Sequence, residues 1–217
     1  MSEVRKALCS IGTGPQARLL RLARRTFVPY ARRYGYDLHL LTEPYETSRP
    51  VPWSKVALLR DLLDRYDLLL WLDADVVIVD ATVDIASQRE PGRFLALVEH
   101  RYDGRQFPNT GVLLVESGRD AAEFLGALWN ATAYIDHQWW ENAAILDLLG
   151  YDVEHPAPAR PSPWRDKTQF LSNEWNSTVH DPAEHPRFRH YPGYTVARRW
   201  ALMARDLARS RAARRRP

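Results

Sequence analysis

The chain has 217 residues, of which 45% are hydrophobic and 26% charged, with a formal net charge of +3; these are the proportions of an ordinary soluble globular protein. At this length a single α/β domain can bury about 70% of the surface its unfolded chain exposes, so folding requires no disulfide or structural metal. The only cysteine, Cys9, excludes an internal disulfide and reads as a buried, reduced thiol.

The first residues, Met-Ser-Glu-Val-Arg-Lys, lead into no long apolar region, which argues against a signal peptide. The most apolar stretch, Leu68 to Val79, carries Asp73 and Asp75 and is too short to span a bilayer. A cytoplasmic protein with no transmembrane segment is therefore expected, in which the sequons at Asn130 and Asn176 stay unmodified. The charge is uneven. Val196 to Pro217 holds eight arginines against one acid, Asp206, and the rest of the chain is net acidic.

In chain order, Lys6 to Ile11 predicts a strand punctuated by Gly12-Thr13-Gly14-Pro15. Leu19, Leu20, Leu22, Ala23, Phe27, Tyr30 and Ala31 then recur at helical spacing, and Gly35 supplies the C-terminal glycine. Tyr36 to Leu41 completes a β-α-β opening, which implies parallel strands. Ser54 is expected to cap a helix running to about Tyr66, with Leu58, Leu59, Leu62 and Leu63 on its buried stripe. Leu68 to Leu72 is a continuous apolar run of strand length, as at the centre of a parallel sheet, and Val76 to Val79 resumes a strand. Further strands are predicted at Phe94–Val98 and Gly111–Val115, and helices at Asp120–Tyr134 and Trp139–Leu149. Tyr151 to Pro192 reads as loops with brief strands near Gln169–Leu171 and Phe188–His190, before a terminal helix from Tyr194 to Arg216.

The strongest chemical signal is Asp73-Ala74-Asp75 at the end of the buried apolar strand. Two aspartates there are costly to bury unless their charge is compensated. Strand ends opening on a crevice are where α/β sheets place ligands, and two carboxylates one residue apart can both reach Mg²⁺ or Mn²⁺.

The stretch from Lys55 through Asp73-Ala74-Asp75 to Ile78 resembles the core of retaining glycosyltransferases with a GT-A fold. It is most similar to the galactosyl/xylosyltransferase family of the plant xyloglucan xylosyltransferases and yeast Golgi mannan enzymes, and is similar also to the glycogenin-like family. The resemblance spans roughly Lys6 to Trp200 but rests on short motifs. It implies a nucleotide diphosphate sugar donor, UDP-sugar above all, a small-molecule or glycan acceptor, and transfer with retention.

By the same resemblance, Asn109-Thr110-Gly111 enters a strand beside the donor sugar, with the Asn109 amide on sugar hydroxyls and Gly111 permitting close approach; a turn is the alternative. Glu141-Asn142 stands as a shifted version of the acid–amide pair near the reacting carbon, the catalytic candidates, against an ordinary helix start. His190-Tyr191-Pro192-Gly193 matches the segment supplying the third metal ligand, so the implied metal set is Asp73, Asp75 and His190, with Gly193 near the diphosphate. The family's phosphate-binding lysine is missing; Arg198 or its neighbour Arg199 is the candidate replacement. Lys55 falls near a basic residue that contacts the donor, and Gly12, Thr13 and Gly14 form the loop that holds base and ribose. Trp53, Trp139, Trp140 and Trp164 flank these segments without an assigned role, and His180 and His185 read as exposed loop residues.

Two other readings compete. Gly12-Thr13-Gly14-Pro15-Gln16-Ala17 also fits the dinucleotide fingerprint of an NAD(P)-dependent oxidoreductase, although the nearest acid, Glu43, lies late. The C-terminal arginines could hold the phosphates of a nucleic acid or an anionic surface; alternatively Trp200, Leu202, Met203 and Leu207 dock that helix and leave the arginines solvated, and no nucleic-acid partner is expected. The prediction is a single α/β domain of GT-A type, a Rossmann-like mixed sheet flanked by helices over residues 1–195, followed by a basic helix or tail over 196–217.

Overall fold

The computed structural model describes residues 4–213. Its central element is a six-stranded mixed sheet built from β1 (Lys6–Ile11), β2 (Tyr36–Leu41), β3 (Leu68–Leu72), β5 (Leu95–Tyr102), β6 (Arg105–Glu116) and β9 (Thr168–Leu171), in the order β2-β1-β3-β6-β5-β9. Strands β2, β1 and β3 are mutually parallel, β6 runs antiparallel to both β3 and β5, and β9 is parallel to β5. Two small antiparallel pairs complete the β-structure: β4 (Val76–Ile78) with β10 (Phe188–His190), and β7 (Tyr151–Asp152) with β8 (Ala157–Pro158).

Side-chain alternation along the strands divides the interior into two cores. Leu8, Leu68, Leu70, Leu72, Val112 and Leu114 face one side, packed under α1 (Ala17–Tyr34) and α6 (Val196–Ala213). Cys9, Leu69, Trp71, Leu97, Leu113 and Val115 face the other, beneath α2 (Ser54–Leu62), α3 (Arg119–Asn130) and α4 (Trp140–Leu148). A one-turn helix, α5 (Pro163–Asp166), precedes β9. Helix α1 ends at Gly35 in the left-handed conformation (φ 70°), where a Cβ would be unfavourable.

Several boundaries differ from the sequence reading. Ser54 does not cap α2: it lies in the helix, and its hydroxyl exchanges hydrogen bonds with the backbone of Glu46. The strand resumed at Val76 leaves the main sheet and pairs with β10. Strands β5 and β6 extend past the expected segments into a long hairpin, with a register shift between Leu97 and Val98. Across that shift, Leu97 pairs with Leu113 and Val98 with Asn109, so Thr110 to Val112 bulge out of the ladder. Bulges of this kind re-aim side chains beside active sites.

Helix α6 docks through Met203 and Leu207, both buried in the first core. Asp206, on the same helix, is 3% exposed; it accepts hydrogen bonds from the Tyr191 hydroxyl and the Arg189 guanidinium and pairs with Arg205. Arg214 to Arg216, which belong to the C-terminal arginines of the phosphate-binding reading, lie outside the described residues. Among the described residues no helix is long and apolar enough to cross a membrane.

Cys9 is fully buried, and burial pushes its thiol up to about 12. Only the thiolate reacts with disulfide or alkylating reagents. Folded protein at pH 8 is therefore expected to give no reaction with a thiol-specific chromogenic disulfide, and urea-unfolded protein one equivalent; a full titre from folded protein would contradict this burial.

Candidate active site at the end of strand β3

Strand β3 delivers the aspartates. Its last ladder bond runs from the Asp73 amide to the Gly111 carbonyl (2.8 Å), and a turn closed by Val76 N–H to Asp73 carbonyl (3.0 Å) feeds β4. The β4–β10 register sets His190 opposite Val76, so the imidazole arrives beside Asp75 from a distant segment of chain. His190 Nε2 then stands 3.3 Å from Asp75 Oδ1 and 3.9 Å from Asp73 Oδ2. One ligand atom from each of the three residues falls within 4.8 Å of the others.

Two carboxylate oxygens and one imidazole nitrogen suit a hard to intermediate divalent cation. The fit has an internal test. His190 Nε2 is buried and has no hydrogen-bond partner, which is costly for a polar atom and is expected of a nitrogen that directs its lone pair at a ligand. Asp73 Oδ1 is occupied by the Trp71 indole N–H (2.6 Å) and Lys55 (3.3 Å), leaving Oδ2 toward the histidine. Burial acts to raise the Asp75 carboxyl; without an ion, a protonated His190 and the Arg199 guanidinium outweigh it and hold the group below the ordinary carboxylate range.

The other half of the site lies on the opposite face of the sheet. Lys55 on α2 is 4% exposed and donates to Glu141 (2.7 Å), the Thr110 carbonyl (3.1 Å) and the Thr110 hydroxyl (3.2 Å). Burial lowers this ammonium's affinity for its proton; the Asp73 and Glu141 carboxylates more than restore it. Asn142 Oδ1 accepts from the Thr110 amide (3.0 Å) and hydroxyl (2.9 Å). Thr110, which sequence reasoning passed over, is thus the bulged residue that ties α2, α4 and β6 together. Trp140, immediately before Glu141, is an exposed aromatic with a positive φ of 45°.

The remaining candidates fall into place unevenly. Gly12 packs against the aspartate turn, where a Cβ would stand 3.0 Å from that of Ala74. Thr13 and Gly14 follow at the same end of the sheet. Gly111 faces the His190 ring itself. Asn109 Oδ1 accepts from the Gly111 amide (3.0 Å) and from Asn176 (2.9 Å), so its side-chain oxygen is engaged internally. Gly193 forms the turn between β10 and α6 with φ 78°. Arg198 is exposed and lies over the Tyr194 ring, whereas Arg199 reaches Asp75 Oδ2 at 3.0 Å: the arginine at the carboxylates is the second of the pair. Asn176, 3.0 Å from His190 Nδ1, was noted in the sequence only as a sequon. His180 and His185 are exposed, Trp53 is fully buried, and Trp139 and Trp164 are partly buried.

No protein-family model matches this chain, and no curated protein does. Solved structures do. A glycosyltransferase involved in glycosylation of the major capsid of PBCV-1 superposes with a TM-score of 0.70 at 19% identity, over 93% of this chain and 99% of the other. The galactosyltransferase LgtC, solved with donor and acceptor sugar analogs, gives 0.59 at 10% identity over 92% and 95%. GlyE of Streptococcus pneumoniae TIGR4 gives 0.61 at 14% identity over 95% of this chain and 65% of that one. The fold is that of the GT-A glycosyltransferases. Within the GT-A fold the Asp73–Asp75 turn closes β3 beside the Gly12–Gly14 loop, on the edge where α/β sheets receive ligands.

Proposed function

We propose that this chain is a metal-dependent glycosyltransferase that moves a sugar from a nucleotide diphosphate donor, a UDP-sugar, to an acceptor hydroxyl with retention. The observation that carries the reading is the Asp73–Asp75–His190 group, with its unpartnered imidazole nitrogen, at the end of β3 in a GT-A fold. In this reading the three side chains hold Mn²⁺ or Mg²⁺, and the bound ion supplies Lewis-acid stabilisation to the leaving diphosphate.

The chain's own groups do the rest. Arg199, paired with Asp75 and anchored by its Nε to the Tyr194 carbonyl (2.7 Å), is the cation within reach of a phosphate at this edge. Lys55 fixes the Asp73 carboxylate from behind and keeps Glu141 beside it. Gly12 to Gly14 border the nucleotide, and the exposed Trp140 offers a flat face to the acceptor. Residues 1–195 carry the transfer chemistry, and 196–217 add Arg199 and brace β10 through Asp206. Among the described residues no structural feature favours the oxidoreductase reading. The binder reading loses two of its apolar anchors, because Met203 and Leu207 are spent on docking α6.

Calorimetric titration with UDP tests the proposal. Wild type is expected to bind with micromolar affinity only when Mn²⁺ is present, and Asp75→Ala to lose at least about tenfold. Failure of UDP, GDP and the other nucleoside diphosphates alike would sink it.

A further inference from the structure

The tautomer of a metal-binding histidine is set by the partner of its other ring nitrogen. Here that partner can be traced to a group whose role is not negotiable. The Gly111 backbone N–H is a donor and nothing else, and it lies 3.0 Å from the side-chain atom of Asn109 assigned as Oδ1. That atom must therefore be the oxygen. The Asn176 atom 2.9 Å from it must then be the amide nitrogen, which also reaches the Asn109 carbonyl at 3.5 Å. The remaining Asn176 atom is an oxygen, 3.0 Å from His190 Nδ1, so Nδ1 carries the proton. Nε2 is left as the ring nitrogen open to a cation, buried, without a hydrogen-bond partner, and 3.3 Å from Asp75 Oδ1; a bound ion takes its lone pair in place of a proton.

From this we infer that Asn176 and Asn109 are positioning residues that lock His190 in the Nδ1–H form, with Nε2 facing the cation site, and that the lock originates in the bulged backbone at Gly111. Asn176 is fully buried and belongs to no strand of the sheet; it sits in a one-turn 3-10 helix, Asn173–Asn176, whose following residue Ser177 bonds the β10 backbone on both sides. The ring is held from two directions, by the amide relay at its edge and by the Gly111 backbone against its face. The inference rests on the metal reading given above.

The test is direct Mn²⁺ titration in the presence of UDP, following the free-ion electron paramagnetic resonance signal, with thermal melting to establish that each variant is folded. Asn176→Ala is expected to weaken Mn²⁺ binding about 10- to 100-fold. Asn176→Asp, which still accepts from Nδ1–H but sets a carboxylate oxygen against Asn109 Oδ1, is expected to lose less affinity than Asn176→Ala. Asn109→Ala, which frees the far end of the relay, is expected to fall between them, and serves as the readout should Asn176→Ala not fold. Wild-type affinity in a folded Asn176→Ala, or equal losses in the Ala and Asp variants, would overturn the relay while leaving the metal site standing. Absence of Mn²⁺ binding in wild type, or retention of it in His190→Ala, would overturn the metal reading itself.

Discussion

Gly111→Ala is expected to disable the candidate metal site by displacing one side chain. A Cβ at residue 111 would stand 2.6 Å from His190 Nδ1 and 2.9 Å from Nε2, closer still to the carbon between them. Real contacts never approach so near, so either the ring or the strand must move. The ring cannot retreat: His190 is 3% exposed, and its neighbour Phe188 is packed in the core. Overpacking of a dense interior costs about 1–3 kcal/mol, which for a protein of this size corresponds to a fall of very roughly 2–9 °C in Tm. Mn²⁺ affinity is expected to fall by two orders of magnitude or more, well beyond the effect of a lost outer hydrogen bond. Melting and Mn²⁺ titration on one preparation measure both, and a variant binding like wild type would show that the ring is not held where the structure has it.

Removing the Lys55 charge is expected to be more costly for folding than for any single contact. The ammonium is enclosed by Glu141, Asp73 and both oxygens of Thr110. Lys55→Met keeps most of the volume but strands the buried Glu141 carboxylate, which burial already pushes upward against the attraction of Lys55. Breaking a buried pair by deleting one member costs about 3–5 kcal/mol. The double variant Lys55→Met/Glu141→Gln, which removes both charges, is expected to recover more than half of that loss, because the penalty is an uncompensated charge rather than a missing attraction. Urea unfolding of the two singles and the double decides it. Additive losses would mean that the two groups do not act as a pair.

How much of this was legible in the sequence depended on which elements advertise themselves through apolar patterning. The β-α-β opening, the Gly35 stop and the five-residue apolar run of β3 were all readable, because buried strands and amphipathic helices leave periodic traces. The hairpin was underestimated on both arms. His100 to Tyr102 and Arg105 to Pro108 continue the ladder, but they include exposed charged residues, so the apolar signal stops before the strand does. Asp73 and Asp75 stood out because charge at the end of a buried run is conspicuous. Their connection to His190 came from resemblance alone; the β4–β10 pairing that creates it joins segments too far apart for local pattern to register. Thr110 appeared only within a motif and Asn176 only as a sequon, neither with a site role, since a small polar residue in a bulge or a single 3-10 turn looks like any loop residue. Arg198 and Arg199 differ only in helical phase, a distinction of about 100° that requires the exact helix start.

The pairing of β4 with β10 also bears on how the molecule comes together. Asp75 and His190 are separated by about 115 residues, with the whole hairpin, α3 and α4 between them. Contacts of such long sequence separation carry the largest loop-closure cost and are favoured only after nearer ones have formed. The first strands, α1 and α2 can assemble while the chain beyond residue 116 is still unplaced; the three-residue cation group cannot. In a refolding experiment, recovery of Mn²⁺ binding should therefore trail the burial of Trp71 on β3, and the candidate cation site serves as a clock for the last step of folding.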